Sequence, residues 1–66
     1  MTITNEAARA YAAVALYKVL QDLTRSERKD NRAIMIAFEA ELHSLMDLYT
    51  EREIISVAQR LFKEAR

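Results

Sequence analysis

The chain of 66 residues contains no glycine, no proline and no cysteine. Without cysteine it can form neither a disulfide nor a thiolate metal site, and without glycine it has no P-loop or dinucleotide-binding fingerprint. A single histidine excludes a metal site built from several imidazoles. Ten basic and ten acidic residues cancel, so no net charge attracts nucleic acid or an anionic membrane. We therefore expect no enzyme activity, no cofactor and no metal.

The length predicts one helical domain spanning residues 1–66. A domain this short buries only about 60% of the surface that its unfolded chain exposes, so close helix packing or oligomerisation has to stabilise it. The longest apolar run, residues 10–17, is too short to cross a bilayer. With no cysteine and no pattern of an export signal, we expect a cytoplasmic protein that does not enter a membrane.

Three segments have the spacing of amphipathic helices, and no segment has the alternation of a strand. We predict an all-α fold, a small three-helix bundle with helices over about residues 5–23, 31–48 and 51–65. Residues 24–32 are all polar and cannot present a buried stripe, so the packed helix should stop there. Within this polar segment, we favour a loop over 24–30, flanked by frayed helix ends.

Polar residues that can cap helices precede these segments. Thr50 and Glu53 have the spacing of a capping box, in which each side chain bonds the backbone N–H of the other residue. Thr24 and Glu27 have the same spacing and could start the second helix early. Residues 30–31, Asp and Asn, are the alternative cap for that helix.

The apolar residues of each segment predict which side faces the core. The predicted core residues of the first helix are Ala8, Ala12, Leu16, Val19, Leu20 and Leu23. Those of the second are Ile34, Phe38, Leu42, Leu45 and Tyr49, with Met35 and Met46 beside them. Those of the third are Ile54, Ile55, Ala58, Leu61, Phe62 and Ala65. Among these we expect the deepest burial for Ile54, Leu61 and Phe62.

The first helix is apolar on nearly all sides until Lys18, which is typical of a helix that is covered from several directions. Tyr11 and Val14 lie on a different side of this helix from Leu16 and Leu23. Tyr17 lies on the flank of that leucine side. We expect Tyr11, Val14 and Tyr17 to contact another subunit, because two partner helices cannot cover the whole helix and tyrosine is enriched in interfaces. The sequence therefore predicts a small helical protein–protein interaction or regulatory module, homodimeric or bound to another helical protein.

A basic cluster supports an alternative function. Arg25, Arg28, Lys29 and Arg32 would share one face if this segment were helical, and they could hold phosphates. The alternative is a small DNA-binding accessory protein or transcriptional regulator that uses this cluster or the third helix. Two acidic residues lie between the cations and no aromatic residue is available to stack on bases, so we do not expect nucleic acid to be the partner.

Residues 48–61, LYTEREIISVAQRL, resemble the opening helix of helix-turn-helix output domains. LuxR-type regulators and sigma-factor region four begin that helix with a similar Leu-Thr-x-x-Glu pattern. The resemblance implies a helix with a capped start. In those families a turn and a DNA-reading recognition helix follow it, and the residues after 61 do not match that part. The resemblance consists largely of a capping box and an amphipathic helix, so we assign no family from it.

His43 is the one residue with a possible acid–base role. Glu39 and Asp47 each lie four residues from it, on the same helical face. A carboxylate at this spacing can raise the pKa of a histidine, but it is also the ordinary pairing of charged residues along a helix. A domain of this size has little room for a catalytic cleft, so we expect His43 to be exposed and dispensable.

Overall fold

The computed structural model describes residues 3–64 and confirms the all-α three-helix bundle. Three helices and one short 3-10 turn follow each other along the chain: α1 Asn5–Asp22, a 3-10 turn Glu27–Lys29, α2 Asn31–Leu48 and α3 Glu51–Glu64. The predicted bounds therefore agree to within a residue at each described helix end. Ala65, a predicted core residue, lies outside the described residues.

Side chains cap the first two helices at their N-termini. The Thr4 hydroxyl accepts a hydrogen bond of 3.1 Å from the N–H of Ala7 at the start of α1. At the start of α2, the Asp30 carboxylate accepts hydrogen bonds of 3.0 and 3.4 Å from the N–H groups of Arg32 and Ala33. Each cap satisfies backbone donors that have no partner within the helix, which explains where these helices begin.

Both predicted capping boxes form. Thr50 donates its N–H to Glu53 at 2.9 Å and accepts the N–H of Glu53 at 3.2 Å, and α3 follows. Thr24 and Glu27 make the same pair of bonds at 2.9 and 3.2 Å, but only a 3-10 turn of three residues follows them. That turn buries no residue, so no packing contact stabilises a longer helix there. Helix α2 begins after it with its own cap, Asp30.

Helix α1 is the centre of the bundle. It packs against both α2 and α3, whereas among the described residues α2 and α3 contact each other little. Helices α1 and α2 are antiparallel, because Tyr11 meets Tyr49 and the Lys18 ammonium lies 3.7 Å from the Glu41 carboxylate. The starts of α1 and α3 lie at the same end, where the N–H of Thr4 donates to Glu51 at 3.0 Å.

The core is small and rich in alanine. Its buried residues are Ala7, Ala10, Tyr11, Val14, Ala15, Val19, Leu45, Ile54 and Ala58. The residues packed around it include Phe38, Leu42 and Tyr49, so the predicted core face of α2 is confirmed there. Met35 and Met46, placed beside that face, are exposed. Alanine contributes little apolar area, so this core supplies less stabilisation than one built from leucine.

The predicted core face of α1 is wrong for most of its length. Leu16 and Leu20 are 43% and 39% exposed, while Tyr11 and Val14, expected on an outer face, are 4% and 1% exposed. Val19 is the one predicted core residue of α1 that is buried. The small side chains of the buried face let α2 and α3 approach the α1 backbone closely, whereas a leucine face would hold them further away.

Helix α3 follows its prediction except at one edge. Ile54 and Ala58 are buried, and Ile55 and Leu61 are partly buried against the core. Phe62, expected to be among the most buried residues, is 64% exposed. It lies at the edge of the apolar face of α3, and neither α1 nor α2 extends over it.

The bundle is less compact than its length allows. Its radius of gyration is 12.3 Å, and its principal dimensions are 35 × 30 × 18 Å. A compact domain of this length would have a radius of gyration of about 11 Å. The flattened shape follows from the arrangement of α2 and α3, which flank α1 without closing over its far side.

Candidate association surface

Tyr11 has an internal role. It is buried within the bundle, and its hydroxyl donates a hydrogen bond of 2.6 Å to the main-chain carbonyl of Tyr49. Burial raises the pKa of the Tyr11 phenol above its usual value, and the negative charges of Glu51 and Glu53 raise this pKa further. The side chain is therefore satisfied inside the monomer and unavailable to a partner.

The three residues predicted for association do not form one surface. Val14 is buried with Tyr11 in the core, whereas Tyr17 is 41% exposed on another side of α1. The placement of Tyr11 and Val14 on an outer face is therefore corrected. An acidic substitution at Val14 would place a charge inside the fold and unfold the protein, so it cannot test association.

The exposed side of α1 carries a regular stripe of side chains, defined here as the outer stripe: Arg9, Ala13, Leu16 and Leu20. Their spacing alternates between four and three residues, as in the contact seam of a coiled coil. All four are exposed or partly exposed, and Tyr17 lies on the flank. This 4-3-4 spacing is the sequence signal that could have identified the exposed side of α1, although leucines on a helix more often face the core.

A groove runs between α1 and α3 beside the outer stripe. It has a volume of about 490 Å³ and is defined here as the α1–α3 groove, lined by Glu6, Arg9, Ala10, Ala12, Ala13, Ile55, Ala58, Gln59 and Phe62. The α1 side of the groove is lined by alanines, whose small side chains project little. On the α3 side, Phe62 supplies a large apolar surface. Its polar residues are few, so the groove offers mainly apolar contact with a polar margin.

A second hollow of about 490 Å³ lies at the end of the bundle where α1 begins and α2 meets α3. Ile3, Met46 and Leu48 are exposed around it. The hollow borders the Tyr11–Tyr49 hydrogen bond and the Thr50 cap, which belong to the packing of the fold.

The basic cluster lies at the opposite end of α1, around the 3-10 turn. All four of its residues are exposed: Arg25, Arg28, Lys29 and Arg32. The acidic side chains between them bond backbone N–H groups: Glu27 closes the capping box and Asp30 caps α2. The hydrogen bonds from Thr24 lower the pKa of Glu27, so its negative charge persists beside the cations.

His43 lies on the outer face of α2, as expected. Its Nδ1 atom is 3.8 Å from Asp47, and both side chains are largely exposed. Within residues 3–64, no group of three acidic, histidine or cysteine side chains is placed to hold a metal ion. None of the helices in this part of the chain combines the length and apolar character needed to cross a membrane.

Comparison of the chain with protein-family models, with curated proteins and with solved structures finds no match. The evidence on function therefore comes from the geometry of the fold. Its main feature is the apolar surface formed jointly by the outer stripe and the α1–α3 groove.

Proposed function

We propose that this protein is a small helical association module that binds a partner helix through the outer stripe and the α1–α3 groove. The proposed partner is a second copy of the chain or another helical protein. The module performs no chemistry of its own. Its proposed location is the cytoplasm, which agrees with a chain that contains no cysteine.

The observation that carries this proposal is the exposure of large apolar side chains on one side of α1. Leu16 and Leu20 belong to the outer stripe, and Phe62 lines the adjacent groove. Contiguous apolar patches of this kind on small soluble proteins mark interaction sites. The alanine-rich core adds a physical reason for association, since a domain with little internal burial gains stability when a partner covers more of it.

The first experiment measures molar mass by light scattering over a wide range of protein concentration. The variant is Leu20→Glu, which places a charge in the outer stripe. The matched control is Gln21→Glu, which adds the same charge one residue later on another side of α1. Both substitutions place an acidic group near the C-terminus of the helix, so their effects on the helix dipole are similar. Thermal unfolding of the variants at low concentration confirms that both remain folded.

Loss of self-association or of a specific host partner in Leu20→Glu, with retention in Gln21→Glu, supports the proposal. The proposal is wrong if wild type and both variants behave identically in molar mass and in every partner captured from the host. A partner that is retained by Leu20→Glu and lost on reversal of the basic cluster would instead favour the nucleic-acid alternative.

A further inference from the structure

We propose that the occupant of the α1–α3 groove is a second copy of this chain, bound with its α1 antiparallel to the first. This inference rests on the proposed function and specifies its partner. The two-fold axis would pass between Ala13 and Leu16, so that each copy fills the groove of the other.

The exposed side of α1 has large side chains in one half and small side chains in the other. Leu16, Tyr17 and Leu20 project from the C-terminal half of the exposed side of α1. Ala10 and Ala13 form a low wall of the groove in the N-terminal half. A two-fold axis between the halves places Leu16 of each copy against Ala13 of the other and Tyr17 beside Ala10. An isologous interface requires this self-complementarity.

The 4-3-4 spacing of the outer stripe determines the register of an antiparallel pair. In an antiparallel pair of helices, the two alternating seam positions face each other. Ala13 then faces Leu16 of the second copy, and Arg9 faces Leu20 of the second copy. Every layer pairs a leucine with an alanine or with the aliphatic stem of an arginine, so no layer places two large apolar residues against each other.

The charged residues of α1 distinguish a parallel from an antiparallel pair. A parallel pair would place Arg9 against its own equivalent and Glu6 against its equivalent, and like charges held at this distance repel. In the antiparallel pair, each Arg9 lies over a leucine with its guanidinium at the edge of the contact. The charge pattern therefore favours the antiparallel arrangement over the parallel one.

Tyr17 gains a partner surface in the same arrangement. It lies on the flank of the seam that adjoins the α1–α3 groove, and the antiparallel register places it beside Ala10 of the second copy. The ring would enter the groove next to Phe62, and its hydroxyl would reach the polar margin formed by Glu6 and Gln59. A tyrosine with an apolar ring and a polar tip suits such a border position.

A dimer interface of ordinary size would use a small share of the surface of the chain. A standard interface covers about 800 Å² on each partner. The accessible surface of the chain is 5481 Å², so such an interface would occupy roughly a seventh of it.

Disulfide mapping tests the arrangement, since the chain has no cysteine of its own to interfere. Arg9→Cys and Leu20→Cys are prepared as separate single variants of the full chain, mixed, and oxidised gently. Mass spectrometry distinguishes the mixed disulfide from the two homodisulfides, because the chains differ in mass. The control mixture pairs Arg9→Cys with Gln21→Cys, whose cysteine lies outside the outer stripe, on another side of α1 from Leu20. A second pair, Ala13→Cys with Leu16→Cys, repeats the test if Leu20→Cys fails to fold.

The expected result is that the 9–20 disulfide exceeds both the 9–9 and the 9–21 disulfides. The dissociation constant of the dimer should be at least about tenfold higher for Leu20→Glu than for wild type, and that of Gln21→Glu should equal the wild-type value. Dominance of the 9–9 disulfide would show a parallel pair and overturn the inference. A wild type that is strictly monomeric, together with cysteine variants that form none of these disulfides, would also overturn it. In that case, loss of a host partner in Leu20→Glu alone would still uphold the proposed association function.

Discussion

The hydroxyl of Tyr11, near the middle of α1, donates a hydrogen bond of 2.6 Å to the main-chain carbonyl of Tyr49. Tyr49 is the C-terminal cap of α2, and the carbonyls at a helix end have no partner within the helix. The bond therefore satisfies an acceptor at the end of α2 and a buried phenol in α1 at once. It also fixes the point at which the chain turns from α2 into α3.

Removal of the Tyr11 hydroxyl tests this hydrogen bond directly. Tyr11→Phe keeps the ring in the core but leaves the Tyr49 carbonyl without its donor, so we expect a loss of about 1 kcal/mol in the free energy of unfolding. The control is Tyr17→Phe, which removes a hydroxyl from an exposed position of the same helix and should change little. Urea unfolding at low protein concentration, where association is minimal, measures both. Equal losses in the two variants would contradict the role given to this bond.

The same tyrosine predicts a dependence of stability on alkaline pH. Burial, and then the charges of Glu51 and Glu53, raise the pKa of Tyr11 above 10.0 in the folded protein. The unfolded chain therefore loses this proton first as pH rises, and unfolding is favoured by proton release. The contribution of Tyr11 is complete below about pH 10 and is lost as pH rises through the folded pKa. Subtracting the pH profile of Tyr11→Phe from that of wild type should isolate this loss. The Tyr17→Phe variant still contains Tyr11, so its stability should fall with alkaline pH as that of wild type does.

The two capping boxes offer a matched pair with different consequences. Thr50→Ala removes the cap of α3, a helix that contributes Ile54 and Ala58 to the core, and should cost about 1 kcal/mol. Thr24→Ala breaks the same bonds around a 3-10 turn that buries no residue, so its cost should be smaller. Thermal unfolding distinguishes them. A Thr24→Ala variant as unstable as Thr50→Ala would mean that the turn supports the bundle more than its burial indicates.

The sequence predicted the helices and their caps well because those depend on local interactions. Thr50 with Glu53 and Asp30 with the N–H groups after it are contacts within one turn, which residue spacing alone determines. The face of α3 was also predictable for Ile54 and Ala58, since its polar and apolar sides are sharply divided.

The face of α1 was not predictable in the same way, because a helix that is apolar on nearly all sides carries little directional information. The preference for leucine over alanine in a core then selected Leu16 and Leu20, which are exposed. The buried face of α1 depends instead on its packing against two other helices and on the Tyr49 carbonyl. This carbonyl lies 38 residues from Tyr11 along the chain. Such an acceptor is invisible in the local pattern, although a buried tyrosine always needs one.

The basic cluster gives a prediction that tests the alternative function. The charges of Glu27 and Asp30 lie among the four cations, so we expect only weak binding of duplex DNA that is lost at physiological salt. Fluorescence anisotropy over a series of salt concentrations measures it. The variant Arg28→Glu with Lys29→Glu reverses two exposed charges and should leave the molar mass of the protein unchanged. Tight binding at physiological salt that this double variant abolishes would support a nucleic-acid role.

Ile54 and Phe62 separate the core of α3 from its outer edge. Ile54 is fully buried, so Ile54→Ala should cost about 2–5 kcal/mol, which is a large share of the stability of so small a domain. Phe62 is mostly exposed in the α1–α3 groove, so Phe62→Ala should change the stability of the isolated chain little while weakening association. Unfolding at low concentration and molar mass at high concentration measure the two effects separately. If Phe62→Ala destabilised the dilute protein as much as Ile54→Ala, Phe62 would belong to the core and the groove would lose its apolar wall.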